Sequence, residues 1–425
     1  MVKAPVISII GGTIWGNRGA ESMLVTVIGQ LRENFPDSHF NVFSYYPVKD
    51  RELITDDRIT ILSGKPLSLA VRHFIGALIG ALCKKVGSNV PKGKFFKIAR
   101  ALAASDMLLD IGGITFSDGR EKYLPFNILS IWPAMLLGVP VVKLAQAVGP
   151  FNNPLNHFLA KIFLFHCAHI FARGEKTAEF LQKFDYPAEK FDTVADIAFL
   201  YQQEYSLSTE NEDRVSSLIL RMEAVRKQGK KVILFSPSIL VENESHKQGL
   251  DYAGRILDVV RTLGSDGCHY VFMPNATRQG SEKAHNNDLL TLARMKTAWE
   301  VAQVEEGLIA DADWVDYDIN TTSIRRIISQ ADVLVTSRYH AMISGLALEI
   351  PTVVIGWGHK YRETMAYFGL EEYSLDFGKR QDDLTSIIIK ILRVTEEVKG
   401  KIQKNLPQVR LLSKKQFDYL TKALS

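Results

Sequence analysis

The sequence predicts an α/β protein of two Rossmann-like domains that face each other across a cleft. Two successive series of short β-branched runs alternate with helical patterns, a polar stretch from Tyr201 to Asp213 separates the series, and 425 residues suffice for two ordinary domains. Such alternation gives parallel strands covered by helices on both faces.

In the first series Val6–Ile10, Phe40–Ser44, Ile59–Leu62, Met107–Ile111, Val139–Ala145 and His169–Ala172 read as strands, with a helix over Glu21–Asn34. In the second, Lys231–Ser236, His269–Met273, Asp332–Thr336 and Thr352–Ile355 read as strands. Leu250–Leu263, Ser323–Gln330, Ala341–Leu348 and Tyr361–Phe368 read as helices. The domains are therefore placed at 1–205 and 230–381, with a linker and helix at 206–229 and a lysine-rich helical tail at 382–425.

Composition excludes several classes. Lys and Arg number 51 against 47 Asp and Glu, a formal charge of +4, too slight a bias for a nucleic-acid binder. Cys83, Cys167 and Cys268 are widely spaced and odd in number, which suits free thiols in a reducing cytoplasm rather than disulfides or a metal site. The apolar run Val6–Ile10 is too short for a secretory leader, and no stretch reads as a transmembrane helix. Leu67–Cys83, broken by Arg72 and His73 and followed by Lys84, Lys85, Lys92, Lys94, Lys97 and Arg100, reads first as a core helix with a solvated basic flank. The alternative is a helix lying on an anionic membrane surface.

Ligands of doubly wound sheets bind outside the carboxyl ends of strands. The loop Gly11–Gly19 opens a helix and lets backbone approach a ligand. Asp110–Gly119 places Asp118 where it can orient a sugar hydroxyl or close a turn. Gln146–Phe151 ends its strand on a Gly-Pro turn. Arg173 at a strand end can grip a carboxylate or phosphate, or pair with Glu175 at a helix start. The richest loop is Ser337-Arg338-Tyr339-His340, where a cation and a proton donor stand two residues apart before a helix. The next strand ends in Gly356-Trp357-Gly358-His359-Lys360, so one edge collects Arg338, His340, His359 and Lys360.

These pieces, in this order, resemble the polysaccharide pyruvyl transferase family. They are Gly16-Asn17-Arg18-Gly19, Gly112-Gly113, Gln146–Pro150, Arg173, Ala195-Asp196-Ile197-Ala198, Ser337–Ala341 and Lys360 to Gly369-Leu370. The resemblance implies a GT-B-like fold with the acceptor on the N-terminal domain and the donor on the C-terminal one. It implies phosphoenolpyruvate as co-substrate, no cofactor or metal, and a sugar or glycan acceptor, lipid-linked or not. It implies Arg338 and His340 as catalytic residues and Arg173, Arg338 and Lys360 as donor-binding. Gly12, Asn17, Glu21, Asp118 and Glu175 are the expected acceptor-side residues, with the general base open among the three carboxylates. Ala20 and His359 depart from the family pattern on that side. The expected location is cytoplasmic, with peripheral contact at the inner face of the membrane as an open addition. Two other readings stand beside this one: a GT-B-type glycosyltransferase or epimerase using a UDP-sugar, and a non-catalytic scaffold of glycan assembly at the membrane.

Overall fold

The computed structural model describes residues 4–202, 211–264, 267–280, 286–308, 310–356, 359–378 and 384–425. The chain divides into two compact units. The first comprises Met1–Ile14, Met23–Leu207 and Arg410–Ser425, and the second comprises Trp15–Ser22 and Ser208–Val409.

In unit 1, β1 (Val6–Ile10), β2 (His39–Ser44), β3 (Ile59–Ser63), β4 (Met107–Asp110), β5 (Val141–Gln146), β6 (His169–Arg173) and β7 (Phe191–Val194) form one sheet. Its order is β3-β2-β1-β4-β5-β6-β7, and every pairing is parallel. Every residue of β4, β5 and β6 is buried, which explains their near-continuous apolar character. The connections carry α1 (Arg18–Asn34), α2 (Pro47–Leu53), α3 (Pro66–Ser68), α4 (Gly76–Lys85), α5 (Lys97–Ala103), α6 (Leu124–Leu136), α7 (Pro154–Leu164) and α8 (Glu175–Lys183). Apolar clusters fill both faces of the sheet. One is built on Leu108, Ile131 and Ile170, the other on Ile9, Leu24 and Phe171, closed by Phe417 and Leu420.

Unit 2 holds β8 (Lys231–Ser236), β9 (Cys268–Phe272), β10 (Ala312–Trp314), β11 (Val333–Thr336), β12 (Thr352–Gly356) and β13 (Ser374–Asp376). They run in parallel in the order β10-β9-β8-β11-β12-β13. Its helices are α9 (Glu212–Lys227), α10 (Ile239–Lys247), α11 (Tyr252–Leu263), α12 (Asp288–Glu305), α13 (Thr321–Ile328), α14 (Tyr339–Ala347), α15 (His359–Ala366) and α16 (Leu384–Arg393). The final helix α17 (Thr395–Leu424) contributes residues to both units. Helix α9, which sequence set apart as a connector, is grouped with unit 2.

Each sheet thus reverses direction beside its first strand, between β1 and β4 in one and β8 and β11 in the other. This is the doubly wound pattern, repeated, of a GT-B-like α/β fold.

One expectation is corrected. Pro66–Lys85 is continuously helical for 20 residues and is long and apolar enough to cross a membrane by length and composition. The apolar run in the sequence is interrupted by Arg72 and His73, but the helix is not: Leu69–Ile75 is wound as a π-helix that carries straight into α4. Nor is it a core helix, since 28 % of its most apolar stretch is buried.

Candidate functional site

The switch point of the second sheet is the crevice between the ends of β8 and β11, and Arg338 and His340 lie directly after β11. Arg338 is the N-cap residue of α14, its backbone N–H donating to Thr336 Oγ1 at 2.9 Å. Its guanidinium pairs with Asp288 and donates to Asn286 Oδ1 at 3.3 Å. Asp288 is fully buried and also accepts from the backbone N–H of Ile239 (3.0 Å), Asn275 (3.2 Å) and Ala276 (2.9 Å). One carboxylate therefore fixes the loops after β8 and β9 and aims the arginine that follows β11.

His340 sits in the first turn of α14, edge-on to Tyr339 with ring centroids 5.4 Å apart. Gly19 also lies against it. A Cβ there would stand 2.3 Å from His340 Nδ1, so only glycine admits the imidazole at this distance. Lys360 Nζ lies 4.8 Å from the Tyr339 ring centroid and 5.2 Å from that of Tyr361, whose hydroxyl donates to Ser337 O at 3.2 Å. Arg338, His340 and Lys360 are thus gathered on one loop pair. Trp357, Gly358 and the side chain of His359 lie outside the described residues.

Trp15–Ser22 belongs to the same unit. Arg18, 3 % exposed, donates to Glu21 Oε2 at 3.0 Å and to Asp318 Oδ1 at 2.5 Å. Glu21 accepts further bonds from Thr321 N (3.2 Å) and Oγ1 (3.0 Å), and Thr277 donates to Asp318. Burial raises the Glu21 pKa against the opposing pull of Arg18. For Arg18, burial alone would lower the pKa, but Glu21 and Asp318 outweigh it and the guanidinium is held charged. Asn17 stands just before α1 and its Oδ1 accepts from Ala20 N at 3.4 Å. Glu21, expected on the acceptor side, has its carboxylate turned to these internal partners.

In unit 1, Arg173 is 7 % exposed and donates to Asp196 Oδ2 at 2.8 Å and Gly113 O at 3.0 Å, joining two of the loops singled out by sequence. Asp118 accepts from the backbone N–H of Asn152 (2.7 Å) and Asn153 (3.2 Å) and from Asn156 Nδ2 (2.8 Å), the contacts of a turn anchor. Gly12 is buried, and a Cβ there would meet the tip of the Ile111 side chain, Cδ1, at 2.6 Å. Glu175 is exposed in the first turn of α8.

Three residues central to this geometry were not expected: Asp288, Asp318 and Thr321. Asp318 and Thr321 both follow β10, a strand too short to show in the sequence, and Thr321 opens α13. Asp288 opens α12, whose apolar residues lack a clear one-sided pattern. Among the described residues no group of three His, Cys, Asp or Glu is placed to hold a metal ion.

Comparison with known proteins bears on this arrangement. The chain is 21 % identical to the amylovoran biosynthesis protein AmsJ of Erwinia amylovora, over 96 % of this chain and 97 % of that one. Among solved structures it resembles the UDP-GlcNAc 2-epimerase of Neisseria meningitidis bound to UDP-GlcNAc, at a TM-score of 0.60 and 14 % identity, covering 98 % of this chain and 100 % of that one. It also resembles the HepE protein of Anabaena in complex with UDP, at a TM-score of 0.54 and 12 % identity, covering 98 % and 100 %. At such identities these structures speak for the fold alone. The family match is of another kind: it runs from Asn17, through the loop that seats His340, to His359, and by it the chain belongs to the polysaccharide pyruvyl transferase family.

Proposed function

We propose that this protein transfers the pyruvyl group of phosphoenolpyruvate to a sugar of a polysaccharide or its precursor, closing a pyruvate ketal and releasing phosphate. The observation that most supports this is the placement of Arg338 and His340 at the switch point of the second sheet, with Lys360 beside them, in a member of this family.

The reaction needs an anion grip and a proton. Protonation of the donor methylene makes the adjacent carbon electrophilic. One sugar hydroxyl adds there, the bond to the phosphate oxygen breaks, and a second hydroxyl closes the ketal. Of the two hydroxyl protons, one is balanced by the new methyl hydrogen and the other by the proton on phosphate. His340 is the proton donor in this scheme, and Arg338 holds the donor carboxylate or phosphate. Lys360 adds positive charge beside them. Arg173 comes second as a donor ligand, because Asp196 and Gly113 O already take its two terminal nitrogens. Glu21 and Asp118 are engaged in holding loops, so exposed Glu175 is the first carboxylate to test as the acceptor's base.

Phosphate release from phosphoenolpyruvate, measured with a panel of hexosides, tests the reading. His340→Ala is expected to lose about 10²-fold or more in turnover with its melting temperature preserved. Retained turnover in that variant would remove His340 from the mechanism. A melting temperature raised by UDP-sugars and unmoved by phosphoenolpyruvate would sink the donor assignment altogether.

A further inference from the structure

The helical stretch Pro66–Lys85 of unit 1 leaves a continuous apolar stripe uncovered. Leu67, Val71, Ile75, Leu78, Leu82 and Val86 recur at helical spacings of three and four and are each between 36 % and 77 % exposed. Its opposite face is anchored: Leu69 and Ala77 enter the same core as Ile131 and Ala134 of α6 and Ala160 and Leu164 of α7. Phe74 packs at a tilt against Trp132 of α6 with centroids 4.5 Å apart, and Trp132 meets Phe163 of α7 at 5.4 Å. The Pro66–Lys85 stretch, α6 and α7 therefore form one layer on the sheet. Helix α7 repeats the pattern, with Leu155, Phe158 and Ile162 each 40 % to 61 % exposed on the side away from that core.

Charge says what this layer faces. Between Arg58 and Asp106 the chain carries eight Lys and Arg and no Asp or Glu, and between Glu121 and Glu175 it carries no Asp or Glu either. Lys65, Arg72, Lys85, Lys92, Lys94 and Lys97 are exposed on this stretch of chain or close to it in sequence. A layer with two exposed apolar helix faces, on chain segments that carry bases and no acids, complements a bilayer interface bearing anionic headgroups. There the apolar side chains enter the acyl boundary and the lysines meet phosphate. The packing argues against a membrane span: Leu69 and Ala77, a little over two turns apart along the stretch, are both seated in the core of unit 1, so the helix lies along that unit.

We propose that this face of unit 1 docks the protein onto an anionic lipid surface, with Pro66–Lys85 and α7 lying in the plane of the interface. The inference rests on the surface of unit 1 and is independent of the reaction. Flotation of the full chain with vesicles of phosphatidylcholine containing about 30 % phosphatidylglycerol is the test, against pure phosphatidylcholine. The wild type should float with the anionic vesicles and stay behind with the neutral ones. Leu78→Asp/Leu82→Asp, at exposed positions, should abolish flotation with the melting temperature kept. Lys92→Gln/Lys94→Gln/Lys97→Gln should weaken binding about tenfold or more. Equal binding to both vesicle types, or wild-type binding by either variant, overturns the proposal. So does self-association, seen by sedimentation velocity and broken by the leucine variant, in place of vesicle binding. That result would make the face a contact between copies of this chain.

Discussion

Gly19→Ala isolates the position of His340 from its chemistry. The added methyl would lie 2.3 Å from Nδ1, 2.7 Å from Cγ and 3.1 Å from Cβ of His340, whereas ordinary contact begins near 3.4 Å. The imidazole must retreat by about 1 Å, and a shift of about 1 Å in a positioned catalytic group costs on the order of 10²-fold in rate. Stability moves little by comparison. Alanine in a helical turn gains about 1 kcal/mol over glycine, and overpacking loses about 1–3 kcal/mol. Phosphate release from phosphoenolpyruvate with a hexoside acceptor should therefore fall about 100-fold while the melting temperature drops by only a few degrees. Gly19→Ala/His340→Ala relieves the clash and should recover most of the lost stability, a coupling of about 0.5–3 kcal/mol, while remaining inactive. Wild-type turnover in Gly19→Ala would refute the view that the Gly19 contact sets the working position of His340.

Three further outcomes follow from the geometry. His73 is buried against Phe43 and bonded to Ser63 O, and burial pushes its pKa down to about 4 from 6.5, the carbonyl bond opposing. The unfolded chain binds this proton first, so stability falls as pH drops below about 6.5 and levels off near 4. The loss is about 3 kcal/mol and should be missing from the urea-unfolding pH profile of His73→Gln. Arg18→Met strands Glu21 and Asp318 in the interior and should cost about 3–5 kcal/mol in denaturant titrations; a loss below about 1 kcal/mol would show that this network does not hold the loop. Lys143, fully buried, pairs with Asp110, so Lys143→Met should be similarly costly, and Asp110→Asn/Lys143→Met should regain most of the loss in thermal melts.

The parallel strands were legible in sequence because full burial writes itself as short β-branched runs; β1 and β8 were placed to the residue. Helix starts were less so. Helix α1 begins at Arg18 rather than Glu21, and α14 at Tyr339 rather than Ala341, since polar first turns carry no apolar periodicity. Strands β10 and β13 are three residues each and give no pattern to detect. Of the candidate site, Arg338 and His340 were visible as chemistry beside a buried strand. Asp288 and Asp318 were not, because a buried acid that fixes loops looks in sequence like any surface acid. The exposed stripe of Leu67–Val86 was hidden for a related reason: period and composition say which residues share a face, and only packing says which face is left bare.

Neither unit is made from a single run of chain, and this bears on how the protein is synthesised. Gln416 donates to Ala195 O at 3.2 Å and accepts from Ala145 N at 2.9 Å, Ser413 bonds Asp196 O at 2.8 Å, and Tyr419 lies 4.5 Å from His169. These contacts fill the β5 and β6 region of a sheet whose strands leave the ribosome long before residue 410. The contacts of Arg410–Ser425 with unit 1 therefore form only once the second sheet has been translated, as do those of Trp15–Ser22 with Asp318 and Thr321. The last contacts of each unit therefore join segments far apart in sequence, which couples completion of one unit to formation of the other.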